Sequence, residues 1–251
     1  MAIYLITGAS TGIGAATAKL LAEDNELILT YYQSSDEAST LKDSLLRDYK
    51  AKKVEFIRAN LGTEEGCITL FEQVSRQTSK LDALINNAGG MVARESIETF
   101  NWQTMASVFK LNTFGLFQVT SLAIPFLKKA KAPCIVNLTS ITSRHGGPTT
   151  TLYAAAKGAI DTFTKGAARE LASDIRVNSV SPGVIETQFH EKMSTKQQIL
   201  DWRENNPLKR NGTAEDVASA IQFCIENTFV NGESIDVNGE SIDVNGELYT
   251  R

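Results

Sequence analysis

The sequence is poor in the residues that bind metals or cross-link a chain. Of its 251 residues, two are histidines (His145, His190) and three are cysteines (Cys67, Cys134, Cys224). The histidines stand in no ligand-like cluster and the cysteines form no CxxC pair, so no structural metal site is expected. Odd in number and far apart, the cysteines read as buried reduced thiols of a cytoplasmic protein. No apolar run is long enough to span a bilayer, and the opening MAIYLITGAS has no basic leader, which excludes a membrane span and a signal peptide. A basic block is missing too. With 25 Lys+Arg against 29 Asp+Glu the net charge is −4, so nucleic acid is not an expected partner. Nor does a Pro/Gly/Ser-rich linker divide the chain, and residues 1–251 are expected to form a single domain.

What the chain does have is rhythm. AIYLIT (2–7), ELILTY (26–31), KVEFIR (53–58), ALINN (83–87), CIVNLT (134–139) and IRVNSV (175–180) read as buried parallel strands. Helical patterns lie between them near 12–23, 35–49, 63–79, 100–129 and 151–172. Strand and helix alternating in this way predict an α/β fold, a doubly wound parallel sheet in three layers with right-handed crossovers. The polar, amphipathic segment 187–208 breaks the rhythm just after a strand end, where ligands bind in such sheets. It reads equally as a substrate lid or as a solvated surface helix. Near the end, NGESIDV at 231–237 recurs at 238–244. Residues 233–237 are expected to form the edge strand and the second copy to lengthen the tail, because Phe229 and Val230 lead directly into the first.

ITGASTGIG (6–14) joins the first strand to the first helix. Gly8, Gly12 and Gly14 suit a tight turn, a close approach of backbone to a pyrophosphate, and close helix packing. The helix N-terminus behind them attracts phosphate, and the hydroxyls of Ser10 and Thr11 add donors. In NAD enzymes an acidic residue at the end of the second strand holds the adenosine ribose. Here Tyr31 and Tyr32 occupy that place. Without a carboxylate to repel a 2′-phosphate, NADP(H) is favoured and NAD(H) remains open. No arginine stands in this stretch, so the phosphate would rest on Tyr32, Gln33, Ser34 or Ser35.

In LYAAAKGA (152–159) a tyrosine and a lysine stand four residues apart in an alanine-rich helix, and Tyr153 and Lys157 therefore share a face. A free phenol titrates near pH ~10, and a cation about 4 Å away would lower that by roughly three units. The expected result is a phenol able to exchange protons near neutrality.

Six motifs in order make the whole chain resemble the short-chain dehydrogenases/reductases: TGASTGIG, NNAG (86–89), LNTFG (111–115), IVNLTS (135–140), YAAAK (153–157) and SPGVIET (181–187). The resemblance implies a Rossmann-type fold and a catalytic set of Asn112, Ser140, Tyr153 and Lys157. Tyr153 would exchange the proton, Ser140 would polarise the substrate carbonyl, and Lys157 would also hold the nicotinamide ribose. Asn112 would hold a helix bend and a relay water. It further implies cofactor contacts from the first loop, including Ile13. Others would come from Asn60 and Leu61, from Asn87, Ala88 and Gly89, and from Pro182, Gly183, Ile185 and Thr187. A homotetramer packed through the helices at 100–129 and 151–172 is implied as well.

Within that family the chain looks most like 3-oxoacyl-carrier-protein reductases and glucose or sugar dehydrogenases. The first expectation is hydride transfer between a nicotinamide cofactor and a 3-oxoacyl thioester, with a carrier protein as a conceivable partner. The alternatives are a sugar or small secondary-alcohol dehydrogenase, and a non-catalytic NAD(P)-binding sensor. Two departures stand out. Asn60 replaces the family aspartate near adenine, and Asp174 stands where carrier-protein reductases place a base, leaving Lys128, Lys129 and Lys131 as the basic patch. Arg144 and His145, just after Ser140, read at least as well as solvated loop residues as they do as a border of the substrate space.

Overall fold

The computed structural model describes residues 1–188 and 193–239. The apolar runs become the strands β1 (Ile3–Ile6), β2 (Glu26–Tyr31), β3 (Lys53–Arg58), β4 (Ala83–Asn86), β5 (Cys134–Leu138), β6 (Arg176–Pro182) and β7 (Ser234–Val237). All pair in parallel in one seven-stranded sheet of order β3-β2-β1-β4-β5-β6-β7. The helices are α1 (Gly12–Leu20), α2 (Ser35–Arg47), α3 (Glu64–Gln77), α4 (Trp102–Phe109), α5 (Gly115–Leu127) and a single turn, α6 (Thr142–His145). After them come α7 (Thr151–Glu170), α8 (Lys196–Asn205) and α9 (Ala214–Glu226).

Side chains alternate across the sheet and feed two cores. Leu5, Leu84 and Ile135 meet Leu70 and Val74 of α3 and Val119 and Ala123 of α5 on one face. Ile6, Ile85 and Val136 meet Leu41 and Leu45 of α2 and Val217 and Ile221 of α9 on the other. Burial on both faces is why these strands read as unbroken apolar runs. Each fully buried leucine or isoleucine contributes about 1.5–3 kcal/mol, and Leu5, Leu84 and Ile135 have no exposed surface. Among the described residues no helix is long and apolar enough to cross a membrane.

Two expectations need correction or completion. The helix predicted over 100–129 is broken: α4 passes into one π turn, Lys110–Phe114, before α5 begins. Its cause is Asn112, fully buried, whose amide donates to Val108 O at 3.0 Å and to Gly90 O at 2.9 Å. A π turn widens the ring of backbone bonds and bends the helix where a side chain is needed.

The edge strand does use the first repeat copy, pairing Val180 with Ile235 and Pro182 with Val237. The approach to it is pinned by Gly232 N to Val177 O and by Asn178 Nδ2 to Val230 O, both at 2.9 Å. Arg176 Nη1 holds Asn227 O at 2.9 Å just upstream. Residues 240–244 of the second copy lie outside the described residues. So do residues 189–192 of segment 187–208, where α8 opens with a reciprocal cap between Thr195 and Gln198.

Candidate active site

From the centre of the sheet the chain runs outward both ways, through β2 and β3 on one side and β5 to β7 on the other. The loops leaving the carboxyl ends of β1 and β4 therefore diverge and open a crevice. Into it opens a cavity of about 580 Å³.

Glycine geometry builds the β1 side. Gly8 has φ +62°, and a methyl group there would meet Ala88 Cα at 2.9 Å. The two loops are laced together. Thr7 Oγ1 accepts from Asn87 N and Ala88 N at 3.0 Å, and Asn87 Nδ2 donates to Gly8 O at 2.8 Å. A methyl on Gly14 would lie 2.5 Å from Gly8 O, so α1 sits directly behind the turn. No side chain caps the N-terminus of α1, at Thr11, and its first turn has no acid. Its orphan N–H groups thus face the crevice as an anion site.

Buried polar side chains, each with a partner, build the other side. Asn86 Nδ2 donates to Thr120 Oγ1 and Asn137 Oδ1, and Asn137 Nδ2 to Thr164 Oγ1, all at 2.9 Å. This chain fixes β4, β5 and α7 relative to one another. Asn112 Oδ1 accepts from Gly90 N at 2.9 Å, which completes a two-way clamp on the β4 loop. Ser140 leaves the end of β5 and accepts at Oγ from Thr142 Oγ1 at 3.0 Å. Tyr153 is hydrogen-bonded to Ser140. Lys157, buried, donates from Nζ to Leu138 O at 2.7 Å and stands 5.8 Å from the centroid of the Tyr153 ring.

Electrostatics here differ from the expectation. Burial pushes the Tyr153 phenol up to about 12, against the opposing bond from Ser140. Burial also pulls the Lys157 ammonium down to about 8. The Lys157 ammonium does not outweigh this rise: it is committed to Leu138 O, and loss of water disfavours the charged form of both groups. At neutral pH Tyr153 is a held proton and Lys157 a cation beside it.

Of the expected residues, Ser140, Tyr153 and Lys157 line the cavity, and from the first loop so do Gly8, Thr11, Gly12 and Ile13. Asn87 and Gly89 line it from β4, and Pro182, Gly183, Ile185 and Thr187 from β6. Asn112 lies behind it, fully buried. Ala88 backs Gly8, and Leu61 is in the core. Asn60 turns its Oδ1 to Gly62 N at 3.1 Å. Ser10 and Tyr32 do not line the cavity. Tyr32 is 46% exposed at the end of β2.

Of the two readings left open for Arg144, bordering the substrate space is not the one the structure takes. Its guanidinium turns away to Asp161 on α7 at 3.4 Å and Asp236 on β7 at 3.5 Å, whereas His145 does line the cavity. The lysine patch is also smaller than its sequence suggests, because Lys128 pairs with Asp174 at 2.9 Å. Both residues lie near the amino ends of β5 and β6, at the opposite end of the sheet from the cavity.

Among the side chains that escaped the sequence reading, four matter most here. Thr142 holds Ser140, and Arg94 and Trp202 line the cavity. Arg58, at the end of β3, stacks over the Tyr32 ring at 5.8 Å and donates from Nε to Tyr32 O at 3.1 Å. Parallel pairing of Tyr31 with Arg58 brings it there, a signal visible only once β2 and β3 are placed side by side.

The family model described as Enoyl-(Acyl carrier protein) reductase matches residues 8–239. An uncharacterized oxidoreductase of Escherichia coli, YgfF, is 34% identical over 94% of this chain and 98% of its own. The 3-oxoacyl-[acyl-carrier-protein] reductase FabG of Thermotoga maritima is 33% identical, over 93% and 94%. Among solved structures, an NADH-dependent reductase, A1-R′, responsible for alginate metabolism superposes with a TM-score of 0.85 at 28% identity, over 95% and 96% of the two chains. A short chain dehydrogenase from Burkholderia cenocepacia in complex with NADP does so at 0.84 and 27%, over 94% and 96%.

Proposed function

The chain belongs to the short-chain dehydrogenase/reductase family, and from that premise we propose that it is an NADP(H)-preferring reductase of carbonyl compounds, with 3-oxoacyl thioesters the first substrate class to test. The observation that carries the reading is the meeting of Ser140, Tyr153 and Lys157 on the wall of one cavity, with the phenol still protonated at neutral pH.

The residues suit a dinucleotide. The Gly8 turn and the uncapped amino end of α1 form a cradle that side chains would fill, and they would take the pyrophosphate. Lys157 would take the nicotinamide ribose, and Arg58 stacked on Tyr32 would take the 2′-phosphate. When bound, the nicotinamide gives or takes the hydride. Ser140 and Tyr153 direct their hydroxyls to the substrate oxygen, and Tyr153 delivers the proton to it. Lys157 lies beside the phenolate this leaves and offsets its charge. Asn112 acts through the backbone, holding the Gly89–Gly90 loop and the helix bend in place. Trp202 brings α8 to the cavity, which supports the reading of 187–208 as a lid. Exposed Trp102 and Phe114 on the α4–α5 side support self-association there.

A second reading, a dehydrogenase of sugars or small secondary alcohols, is favoured by the Lys128–Asp174 pair, which weakens the surface a carrier protein would use. The deciding experiment is a cofactor-consumption screen. Acetoacetyl thioester, simple ketones and aldehydes, sugars and secondary alcohols are each run with NADPH or NADP+ and with NADH or NAD+. Turnover of the thioester with NADPH is the expected result. Consumption by sugars alone would move the assignment to the second reading, and silence with every substrate would leave a cofactor-binding protein.

A further inference from the structure

The charge on the cavity wall has one sign. Among the described residues its charged side chains are Lys157 and Arg94, with His145 beside them, and no aspartate or glutamate lines it. Lys157 is committed to Leu138 O. Arg94 is differently placed. It stands on the segment after β4, partly buried, and its Nε donates to Met193 O at 3.0 Å. Among the described residues no carboxylate forms an ion pair with it. The nearest acid in sequence, Glu95, is turned elsewhere, accepting from Thr104 Oγ1 at 3.2 Å, and its backbone N donates to Thr149 O at 3.0 Å. Arg94 is therefore held between the loop before α7, four residues from Tyr153, and the segment before α8. That is the chemical end of the cavity, away from the α1 amino terminus where cofactor phosphates belong.

A guanidinium carries five N–H donors in a rigid fork, and with Nε anchored the two terminal nitrogens remain for a planar oxyanion. No acid among the described residues offsets this partly buried cation, so an arriving anion would find it without a competitor. We propose that Arg94 receives a carboxylate of the substrate, so that the enzyme reduces small oxo acids in preference to neutral ketones. The proposal rests on the reductase reading of the Ser140–Tyr153–Lys157 site. A phosphate would offer the same oxyanion chemistry. A carboxylate fits better, because the cavity of about 580 Å³ must also hold the nicotinamide and favours a compact group near the carbonyl. The phosphate of a pantetheine arm stands too many bonds from its thioester to reach Arg94 inside it.

The test compares acids with their own esters. Oxo acids with the carboxylate one, two or three carbons from the ketone are assayed beside their methyl esters, with dihydroxyacetone and its phosphate as the phosphate arm and acetoacetyl thioester as the reference. In the wild type at least one acid should exceed its ester in kcat/KM by about tenfold to a hundredfold, the range for hydrogen bonds to a charged group. In Arg94→Met that ratio should fall to near one, chiefly through KM, and Arg94→Lys should restore part of it. A ratio unchanged in Arg94→Met, or a wild type that prefers the esters, overturns the proposal. A preference confined to the phosphorylated substrate reassigns Arg94 to phosphate and overturns the carboxylate. Binding is read separately, so that absent turnover does not hide the answer. Tyr153→Phe and Tyr153→Phe/Arg94→Met are titrated with the same acids and esters while Trp202 fluorescence is followed. Tighter binding of acid than ester that vanishes with Arg94 supports the proposal even if every substrate is inert, an outcome that would sink only the reductase reading. Equal affinities for acid and ester sink the proposal itself.

Discussion

The two ends of the crevice are built from opposite materials. On the β1 side the ligand surface is backbone: a positive-φ glycine, an uncapped helix terminus, and two solvent-facing side chains, Tyr32 and Arg58. On the β5 and α7 side it is buried polar side chains, each tied to a named partner, from Asn86 through Asn137 to Thr164 and from Lys157 to Leu138 O. The first surface can vary its ligand by changing exposed residues at small cost to the fold. The second cannot, because every group removed leaves a buried partner without its bond. On the proposed function, chemistry is thus fixed by packing and cofactor choice is left to the surface.

Removing the proton donor should break this comparison most sharply. Tyr153→Phe is expected to lower kcat by about 10²–10⁴-fold, with dinucleotide affinity measured by fluorescence titration nearly unchanged. Wild-type-like turnover would show that the proton comes from elsewhere.

Lys157→Met tests the buried side for stored strain. The folded chain holds Lys157 near 8 against 10.5 for the free group, so between those values the unfolded chain binds more protons and stability rises with pH. Below pH 8 the whole penalty is present, about 3 kcal/mol, of which the lost bond to Leu138 O returns about 1–2 kcal/mol. Lys157→Met should therefore lose turnover and cofactor affinity, yet be more stable than wild type at pH 7 by the remaining roughly 1–2 kcal/mol and melt at a higher temperature. An unchanged or lower melting temperature would mean that the ammonium is not penalised in the fold. In the wild type, reductive kcat/KM should be level below about pH 8 and fall above it as Lys157 discharges. Oxidation should instead rise with pH, since it needs the phenolate.

At the exposed end effects should be smaller and selective. Arg58→Glu is expected to shift the NADPH/NADH affinity ratio toward NADH by about tenfold, the size of 1.4 kcal/mol, with kcat at saturation little altered. Tyr31→Asp should act in the same direction. A wild type that already prefers NADH tenfold would refute the reading of this strand end. The smallest effect should come from deleting residues 238–244. Asn245 and Gly246 would then follow Val237 as Asn238 and Gly239 do now, so fold and activity should persist, as circular dichroism and turnover can check.

Legibility in the sequence followed the range of the cause. Strands sandwiched between two helical layers announce themselves as apolar runs, and Tyr153 and Lys157 needed only a helical repeat to be paired. The first repeat copy was readable as β7 from the residues just ahead of it. What stayed hidden depended on distant partners. Helical spacing did not show the break at 110–114, which only the family resemblance placed at Asn112 and which rests on its bond to Gly90. Arg58 reaches Tyr32 through the register of two strands. The true partners of Arg144 lie on α7 and β7. The titration of Tyr153 was misjudged for a similar reason: helical spacing reports a neighbour but says nothing of the water that burial removes.

Arg144 gives the order of synthesis a role in the finished site. It sits four residues after Ser140, and one of its two carboxylate partners, Asp236, belongs to the last strand of the sheet. While the chain is being made, β1 to β6 can assemble and Ser140, Tyr153 and Lys157 can all be present before that carboxylate exists. The loop carrying the serine gains its second tether only when residues 234–237 leave the ribosome and dock beside β6. The alignment of that loop therefore draws on a strand at the far edge of the sheet.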